Sequence, residues 1–130
     1  MSTAPSAPRS VVAARLRQAR QLRGLSQREV GVRMGLDKDT ASARISRYES
    51  ESMAVSLESL FELARALDVP PAYLLATTPA MADAILSLGR ESESQQGSLA
   101  TVLGALTKLP VTQRKALVKD IVDAASLEKL

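Results

Sequence analysis

The sequence predicts an all-α protein, and three observations support that fold class. The 130 residues are rich in helix-forming Ala, Leu, Arg, Glu and Gln, whereas aromatic residues make up 2%. No stretch shows the sustained alternation of apolar and polar residues that is typical of half-buried strands. Apolar residues recur instead at intervals of three and four, which is the period of an amphipathic helix. The core must therefore be built mainly from aliphatic side chains.

The first helix is expected over residues 9–23, after a tail over residues 1–8 that is predicted to be disordered because it has no apolar core. Its apolar stripe comprises Val12, Leu16, Ala19 and Leu22. Gly24 suits the left-handed conformation that ends many helices, so we expect the first helix to stop there.

A second, short helix follows at once. Ser26 can cap its N-terminus while the side chain of Glu29 bonds back to the Ser26 amide, an arrangement known as a capping box. Val30 and Met34 are the expected buried residues of this helix, and Gly35 is its expected end.

Three more helices complete a predicted five-helix domain over residues 9–76. The third covers residues 40–48, is capped by Asp37 or Asp39, and buries Ala41, Ile45 and Tyr48. Ser56 caps the fourth, whose apolar stripe comprises Leu57, Leu60, Phe61, Ala64 and Leu67. Pro71 opens a fifth, short helix through Leu75.

Residues 77–130 are expected to form additional C-terminal helices. A polar stretch over residues 90–97 has no apolar stripe and is predicted to be a linker or an exposed turn. Residues 99–127 have two helical apolar faces that are too short to form a core alone. We expect these faces to pair with a second copy of the chain, and the alternative is that they pack back on the first domain.

Charge is distributed unevenly along the chain. Residues 1–50 contain ten Lys or Arg and four Asp or Glu, hence +6, while residues 51–130 contain seven bases and ten acids, hence −3, which together give the +3 of the whole chain. A basic half indicates an anionic partner, most commonly a nucleic acid. A well-solvated basic surface without a partner is the alternative.

Several classes of function are disfavoured by what the sequence lacks. It contains no Cys and no His, which removes disulfides, the usual zinc sites and nucleophile–histidine pairs. It also has no glycine-rich phosphate loop and no apolar run long enough to span a membrane. We therefore expect a protein of the cytoplasm that is not an enzyme and has no metal site and no cofactor.

Several short motifs occur in order along the basic half of the chain. They are Leu25-Ser-Gln-Arg-Glu-Val30, Gly35, Ile45-Ser-Arg-Tyr-Glu49 and an apolar helix that ends Leu67-Asp-Val69. Over roughly residues 11–75, this order resembles the repressor/Cro-type (XRE) family of helix-turn-helix regulators. The resemblance implies a repressor/Cro-like fold, double-stranded DNA as the partner, a homodimer, and a bacterial or phage protein associated with the nucleoid.

The expected DNA-binding residues lie on the second and third helices. In the family, bases are contacted from positions just before and after the isoleucine of the third helix, which here are Ser42, Ala43 and Arg47. Arg44 can also donate to a base or to the backbone, since arginine can bond guanine through two N–H groups. For Arg44 and Arg47 the alternative is a solvated helix surface.

Phosphate contacts are expected around these base contacts. Gln27, Lys38 and Thr40 are the expected contacts near the starts of the second and third helices, where backbone amides also point at anions. Ser26, Arg17 and Arg20 are further possible phosphate contacts. Gln27 is otherwise an exposed residue at the start of its helix.

The sequence departs from the family pattern at three positions. Nine residues separate Gly35 from Ile45 where the family usually has five, so either the turn is longer or the third helix gains a turn. Gly31 stands where the family often has alanine. Glu51 replaces the usual glycine after the third helix, so that turn is expected to differ.

The function predicted from the sequence is sequence-specific DNA binding by a transcriptional regulator, a repressor that recognises an inverted-repeat operator. The alternative is an antitoxin-like or adaptor protein, whose main ligand is another protein bound by the C-terminal helices.

Overall fold

A computed structural model describes residues 7–128 and confirms the all-α prediction, since every regular element in that range is helical. The α-helices are α1 (Pro8–Arg23), α2 (Gln27–Arg33), α3 (Ala41–Glu49), α4 (Leu57–Leu67), α5 (Pro79–Gly89), α6 (Glu93–Lys108) and α7 (Val111–Leu127), with a 3₁₀ helix at Pro71–Leu75. Residues 1–6 of the predicted tail lie outside the described residues. The chain divides into one compact unit up to Arg90 and a second from Glu91 onwards.

Helix α1 forms one wall of the core of the first unit. Val12, Leu16 and Ala19 are buried as predicted, and Gly24 ends the helix in the left-handed conformation with φ of 66°. The expectation for Leu22 was wrong, because its side chain is 51% exposed. The buried face of α1 includes Val11 at its N-terminal end. In the last turn of the helix, the side chain of Leu22 lies in solvent.

Helix α2 begins at the predicted capping box. The Ser26 hydroxyl accepts a hydrogen bond from the Glu29 amide at 3.0 Å, and the Glu29 carboxylate accepts one from the Ser26 amide at 3.0 Å. Val30 and Met34 are buried. Both predictions are therefore confirmed, and the bonds satisfy two of the amides that a helix start leaves without partners.

The helix-turn-helix pair is formed by α2 and α3, which pack closely at Gly31. A Cβ added to Gly31 would lie 2.6 Å from Cβ of Ala41 and 2.8 Å from its carbonyl oxygen. No side chain fits at that separation, so glycine here permits the close approach of the two helices.

The additional residues between Gly35 and Ile45 lie in the turn, and α3 does not gain a turn at its start. Gly35 has φ of 93°, and the carboxylate of Asp37 accepts a hydrogen bond from the Asp39 amide at 2.9 Å. The Asp37 carbonyl oxygen then accepts the amides of Thr40 and Ala41. These bonds make the longer connection an ordered turn that leads directly into α3. The prediction that Asp37 or Asp39 caps α3 was wrong, because Thr40 is its N-cap residue and no side chain caps the helix.

The turn after α3 contains a left-handed residue at Glu51. Its φ of 67° is a value that residues other than glycine rarely adopt. The carboxylate of Glu51 accepts a hydrogen bond from the Ser10 hydroxyl at 2.5 Å, and its carbonyl oxygen accepts one from Arg9 at 3.2 Å. Contacts from α1 therefore hold this turn.

Helix α4 and the 3₁₀ helix close the core around Tyr73, Leu63, Leu67 and Leu74, each at most 1% exposed. The prediction was wrong for Leu57 and Phe61, which are 67% and 56% exposed. The apolar stripe of α4 is wider than the face that the core covers, so these two side chains remain at its edge. The fifth helix is present at the predicted place as the 3₁₀ helix that Pro71 opens.

The first unit extends past residue 76, where the sequence placed the end of the domain. Ala82 of α5 is fully buried in its core, and Ile85 and Leu86 pack against it. At the end of α5, the backbone of Gly89 lies so close to the Pro70 ring that a Cβ would clash with it. Helix α5 therefore belongs to the first unit, because its apolar side chains cover the 3₁₀ helix.

The second unit consists of α6 and α7 joined at Leu109-Pro110. Ser92 caps α6 at the Gln95 amide, so the helix begins inside the stretch that was predicted as a linker. The guanidinium of Arg114 donates to the carbonyl oxygens of Leu106, Thr107 and Leu109 at the C-terminal end of α6, where helix carbonyl groups lack further amide partners. No residue of either helix is buried.

Candidate nucleic-acid interface

The exposed face of α3 is the candidate surface for DNA. Ala41 and Ile45 are fully buried and Tyr48 nearly so, which fixes the rotation of the helix about its axis. The opposite face is exposed and polar and comprises Ser42, Ala43, Ser46, Arg47 and Ser50. Short hydroxyl side chains and one arginine on such a face can donate to base edges in a major groove.

Buried Glu49 anchors the C-terminal end of α3 to the rest of the domain. It is 7% exposed, and its two carboxylate oxygens accept hydrogen bonds from Nε and Nη2 of Arg20 at 2.6 and 3.0 Å. This ion pair raises the pKa of Arg20 above its ordinary value, since the hydrogen bonds to Glu49 outweigh the opposing effect of burial. The ion pair thereby fixes the C-terminal end of α3 against α1.

Two further predicted contact residues are also bonded to Glu49. Nε2 of Gln27 donates to the Glu49 carboxylate at 3.2 Å, and Nη2 of Arg17 donates to its backbone carbonyl oxygen at 2.9 Å. Nε2 of Gln27 carries a second N–H that can donate to a phosphate, and the side chain of Arg17 is 48% exposed. The predicted phosphate contacts of α1 and α2 are thus brought together around one carboxylate at the end of α3.

Arg20 differs from these residues because each of its guanidinium nitrogens already donates within the domain. Besides Glu49, it donates to the carbonyl oxygen of Leu25 at 3.2 Å, and its side chain is 19% exposed. A guanidinium has five N–H groups, and here three of its nitrogens donate within the domain. The geometry gives Arg20 the role of joining α1, α2 and α3.

Lys38 and Thr40 lie in the turn before α3 and are exposed. Thr40 is the N-cap residue of α3, but its side chain bonds no amide of the helix. Its hydroxyl donates instead to the Asp37 carbonyl oxygen at 3.3 Å. Ser26 is exposed at the start of α2, where its oxygen serves the capping box. The amides at the starts of both helices therefore lie beside predicted phosphate contacts.

Arg44 lies beside the exposed face of α3 and not within it. Its side chain is partly buried, and Nη1 donates to the Tyr48 hydroxyl at 3.4 Å. Arg47, one turn on, is exposed and has no side-chain hydrogen bond among the described residues. The two arginines that were predicted together thus differ in how free they are to contact a ligand.

Sequence reasoning missed two residues of this surface. Ser46 lies on the exposed face between Ser42 and Ser50, and the interval of four residues that joins them is visible in the sequence. Glu49 was quoted only as part of a motif. A glutamate that follows an apolar helix face at Tyr48 is a signal for a buried carboxylate, but its arginine partner lies 29 residues earlier.

Comparisons with known proteins agree with this geometry. A family model described as helix-turn-helix matches residues 16–74. The solved structure titled "Crystal structure of transcriptional regulator BswR" is similar to this chain, with 31% sequence identity and a TM-score of 0.65, over 72% of this chain and 92% of that one. A search of curated proteins gave no significant match.

The α2–α3 pair, which packs at Gly31 and leaves a polar face of α3 exposed, is a helix-turn-helix. The chain belongs to the XRE-type helix-turn-helix family of DNA-binding transcriptional regulators. Among the described residues, no helix is both long enough and apolar enough to cross a membrane.

Proposed function

We propose that the protein regulates transcription as a repressor that binds an inverted-repeat operator as a homodimer, with α3 in the major groove. The observation that supports this proposal best is the exposed polar face of α3 opposite fully buried Ile45. A helix held rigidly on one side and polar on the other suits insertion into a groove. Two copies related by a two-fold axis would each contact one half-site, about 34 Å apart.

Within this proposal the base contacts come from α3. Arg47 is the principal one, because its guanidinium is exposed and can bond O6 and N7 of a guanine together. Ser42 and Ser46 donate to base edges, and Ala43 offers its methyl group to a thymine methyl. Arg44 contacts the backbone at the edge of the groove, since its side chain is partly held by Tyr48.

The backbone contacts come from the starts of α2 and α3. Gln27 and Ser26 present the N-terminus of α2 to one phosphate, and Lys38 and Thr40 present that of α3 to another. Arg17 contacts phosphate with the donors that Glu49 leaves free. We assign Arg20 a positioning role through Glu49 and leave it out of the contact surface.

Arg47→Ala tests this assignment. On a duplex enriched from a random pool by the native protein, we expect the variant to lose roughly 1–3 kcal/mol of binding free energy and to tolerate other bases at the affected position. Arg65, an exposed arginine of α4 outside the helix-turn-helix, provides a control with the same loss of charge. Fluorescence anisotropy on the enriched and a scrambled duplex measures both variants.

The control decides what a loss would mean. Equal losses for Arg47→Ala on the enriched and the scrambled duplex would show a phosphate contact and contradict the base contact. Equal losses for Arg47→Ala and Arg65→Ala would show that only net charge matters. Either result would refute the base contact proposed for Arg47.

A second candidate function is supported by the second unit. Leu103 of α6 and Ile121 of α7 are 62% and 55% exposed, and neither helix has a buried residue. Apolar faces of this kind bind protein. An antitoxin-like or adaptor role, in which these helices hold a different protein, remains the alternative, and purification that yields a stable monomer would favour it.

A further inference from the structure

Helix α6 exposes a face of small residues between two opposite charges, and nothing in the described chain covers it. In helical projection this face comprises Glu93, Gly97, Ala100, Thr101, Gly104 and Lys108, all of them exposed. The residues between Glu93 and Lys108 include no charged side chain. The face can therefore be buried without burying a charge.

The polar group in the middle of this face already has a partner. The hydroxyl of Thr101 donates to the carbonyl oxygen of Gly97 at 3.0 Å, one turn earlier on the same helix. Burial of this face would consequently leave no hydroxyl donor unsatisfied, which is the condition for a buried polar group to be tolerated.

No contact among the described residues requires the two glycines of this face. A Cβ added to Gly97 or to Gly104 would have no heavy atom within 4 Å, and both residues lie inside a regular helix. Glycine is among the poorest helix formers, and its use inside a helix commonly permits the close approach of another backbone. Gly31 shows this within the domain, where it contacts Ala41.

The charges at the two ends of this face indicate which helix packs on it and in which orientation. If two copies of α6 lie antiparallel, Glu93 of each copy faces Lys108 of the other, whereas a parallel pair would place like charges together. The register that joins these charges has its two-fold axis between Ala100 and Thr101, and it also places Gly97 of one copy opposite Gly104 of the other. Charge and backbone access are separate features of the sequence, and both select this register.

We propose that α6 pairs antiparallel with α6 of a second copy of this chain through the glycine face, about a two-fold axis between Ala100 and Thr101. This inference rests on the dimeric operator binding proposed above and specifies its interface. The apolar side chains Leu99, Val102 and Leu103 lie on the other side of α6. They then form a second layer with the apolar stripe of α7 that comprises Leu117, Val118, Ile121 and Val122.

Nine large apolar side chains of α6 and α7 are exposed, and those of α6 lie on the side opposite the glycine face, where they remain available to the second layer. A helical pair with such a core would bury its apolar surface only in the assembled form.

Disulfide trapping in the full chain tests the register directly, because the native sequence has no Cys. Thr101→Cys lies next to the proposed axis on the glycine face, so its two copies come within the 4.4–6.8 Å between Cα atoms that a disulfide needs. Val102→Cys lies at nearly the same height on the opposite face and is the matched control. We expect Thr101→Cys to form a reducible covalent dimer under mild oxidation, at least ten times faster than Val102→Cys.

Three outcomes would overturn the proposal. Faster linking of Val102→Cys would place the contact on the apolar face, and no linking of either variant would refute the register. A wild-type chain that is monomeric in light scattering would refute self-pairing altogether. Operator selection by the native chain is measured separately, so a failed register and a failed DNA-binding function give different results.

A second pair of variants separates contact from helix propensity. Gly104→Leu should raise helicity and weaken self-association at least tenfold, because its side chain would fill the space for the partner's backbone. Gln95→Leu places the same bulk on the opposite face of α6 and should not weaken self-association. Equal effects of the two variants would contradict the glycine contact.

Discussion

Arg20→Ala would leave the buried carboxylate of Glu49 without its principal partner. In the native domain, Arg20 donates two hydrogen bonds to this carboxylate and one to the carbonyl oxygen of Leu25. Glu49 is 7% exposed, so water cannot readily take the place of the lost donors. Gln27 would still donate one bond at 3.2 Å.

The size of the loss follows from these contacts. Breaking a buried ion pair by removal of one partner costs about 3–5 kcal/mol. Here Arg20 is 19% exposed and Gln27 remains, so we expect a smaller loss, about 2–3 kcal/mol of the free energy of unfolding. Arg17→Ala removes one bond to the Glu49 backbone and a longer contact, 3.9 Å from Nε of Arg17 to the Glu49 carboxylate. The side chain of Arg17 is 48% exposed, so this change should cost under about 1 kcal/mol.

Urea unfolding followed by circular dichroism measures both variants, and a double-mutant cycle completes the test. Glu49→Gln removes the charge, so Arg20→Ala should cost much less in that background, because the two residues are coupled. If Arg20→Ala costs no more than Arg17→Ala, or if the two changes are additive, the Glu49 ion pair does not hold α3 in place and our account of the interface is wrong.

Two further predictions concern α2. Gly31→Ala should destabilise the domain by about 1–3 kcal/mol in the same assay, although alanine favours helices, because its Cβ would lie 2.6 Å from Cβ of Ala41; a gain in stability would show that the two helices can separate freely. Hydrogen bonds from the Ser26 amide and then from its hydroxyl lower the pKa of Glu29, so the capping box stabilises the fold above the ordinary pKa of glutamate, and this stabilisation is lost as pH falls through the lowered pKa. Unfolding of Glu29→Gln should therefore depend less on pH than unfolding of the native protein between about pH 5 and pH 3, and equal slopes would contradict this role.

Local signals predicted the local parts of the fold. The Ser26 and Glu29 capping box and the stop at Gly24 depend on residues within a few positions of one another, and the structure confirms both. The apolar faces of the helices were predicted less accurately at their edges. Leu57 and Phe61 match the helical period but remain exposed, since periodicity alone does not give the width of the face that a core covers.

Features that depend on distant residues could not be predicted in the same way. The role of Glu49 requires α1 to lie beside the end of α3, and the place of α5 requires Ala82 to reach the 3₁₀ helix. Gly31 was noted as a departure from the family, but its reason is contact with Ala41. Glu51 adopts a left-handed conformation in a turn that α1 holds through Ser10.

The central claim is that the exposed face of α3 recognises a DNA sequence in two symmetric halves. Selection of bound duplexes from a random pool by the native full chain, at about 0.15 M salt, tests this most directly. We predict an enriched inverted repeat whose half-sites lie about one helical turn apart, or a multiple of it. Retention of duplexes without enrichment of any sequence would contradict the account. If higher salt abolishes that retention, the protein binds the DNA backbone alone.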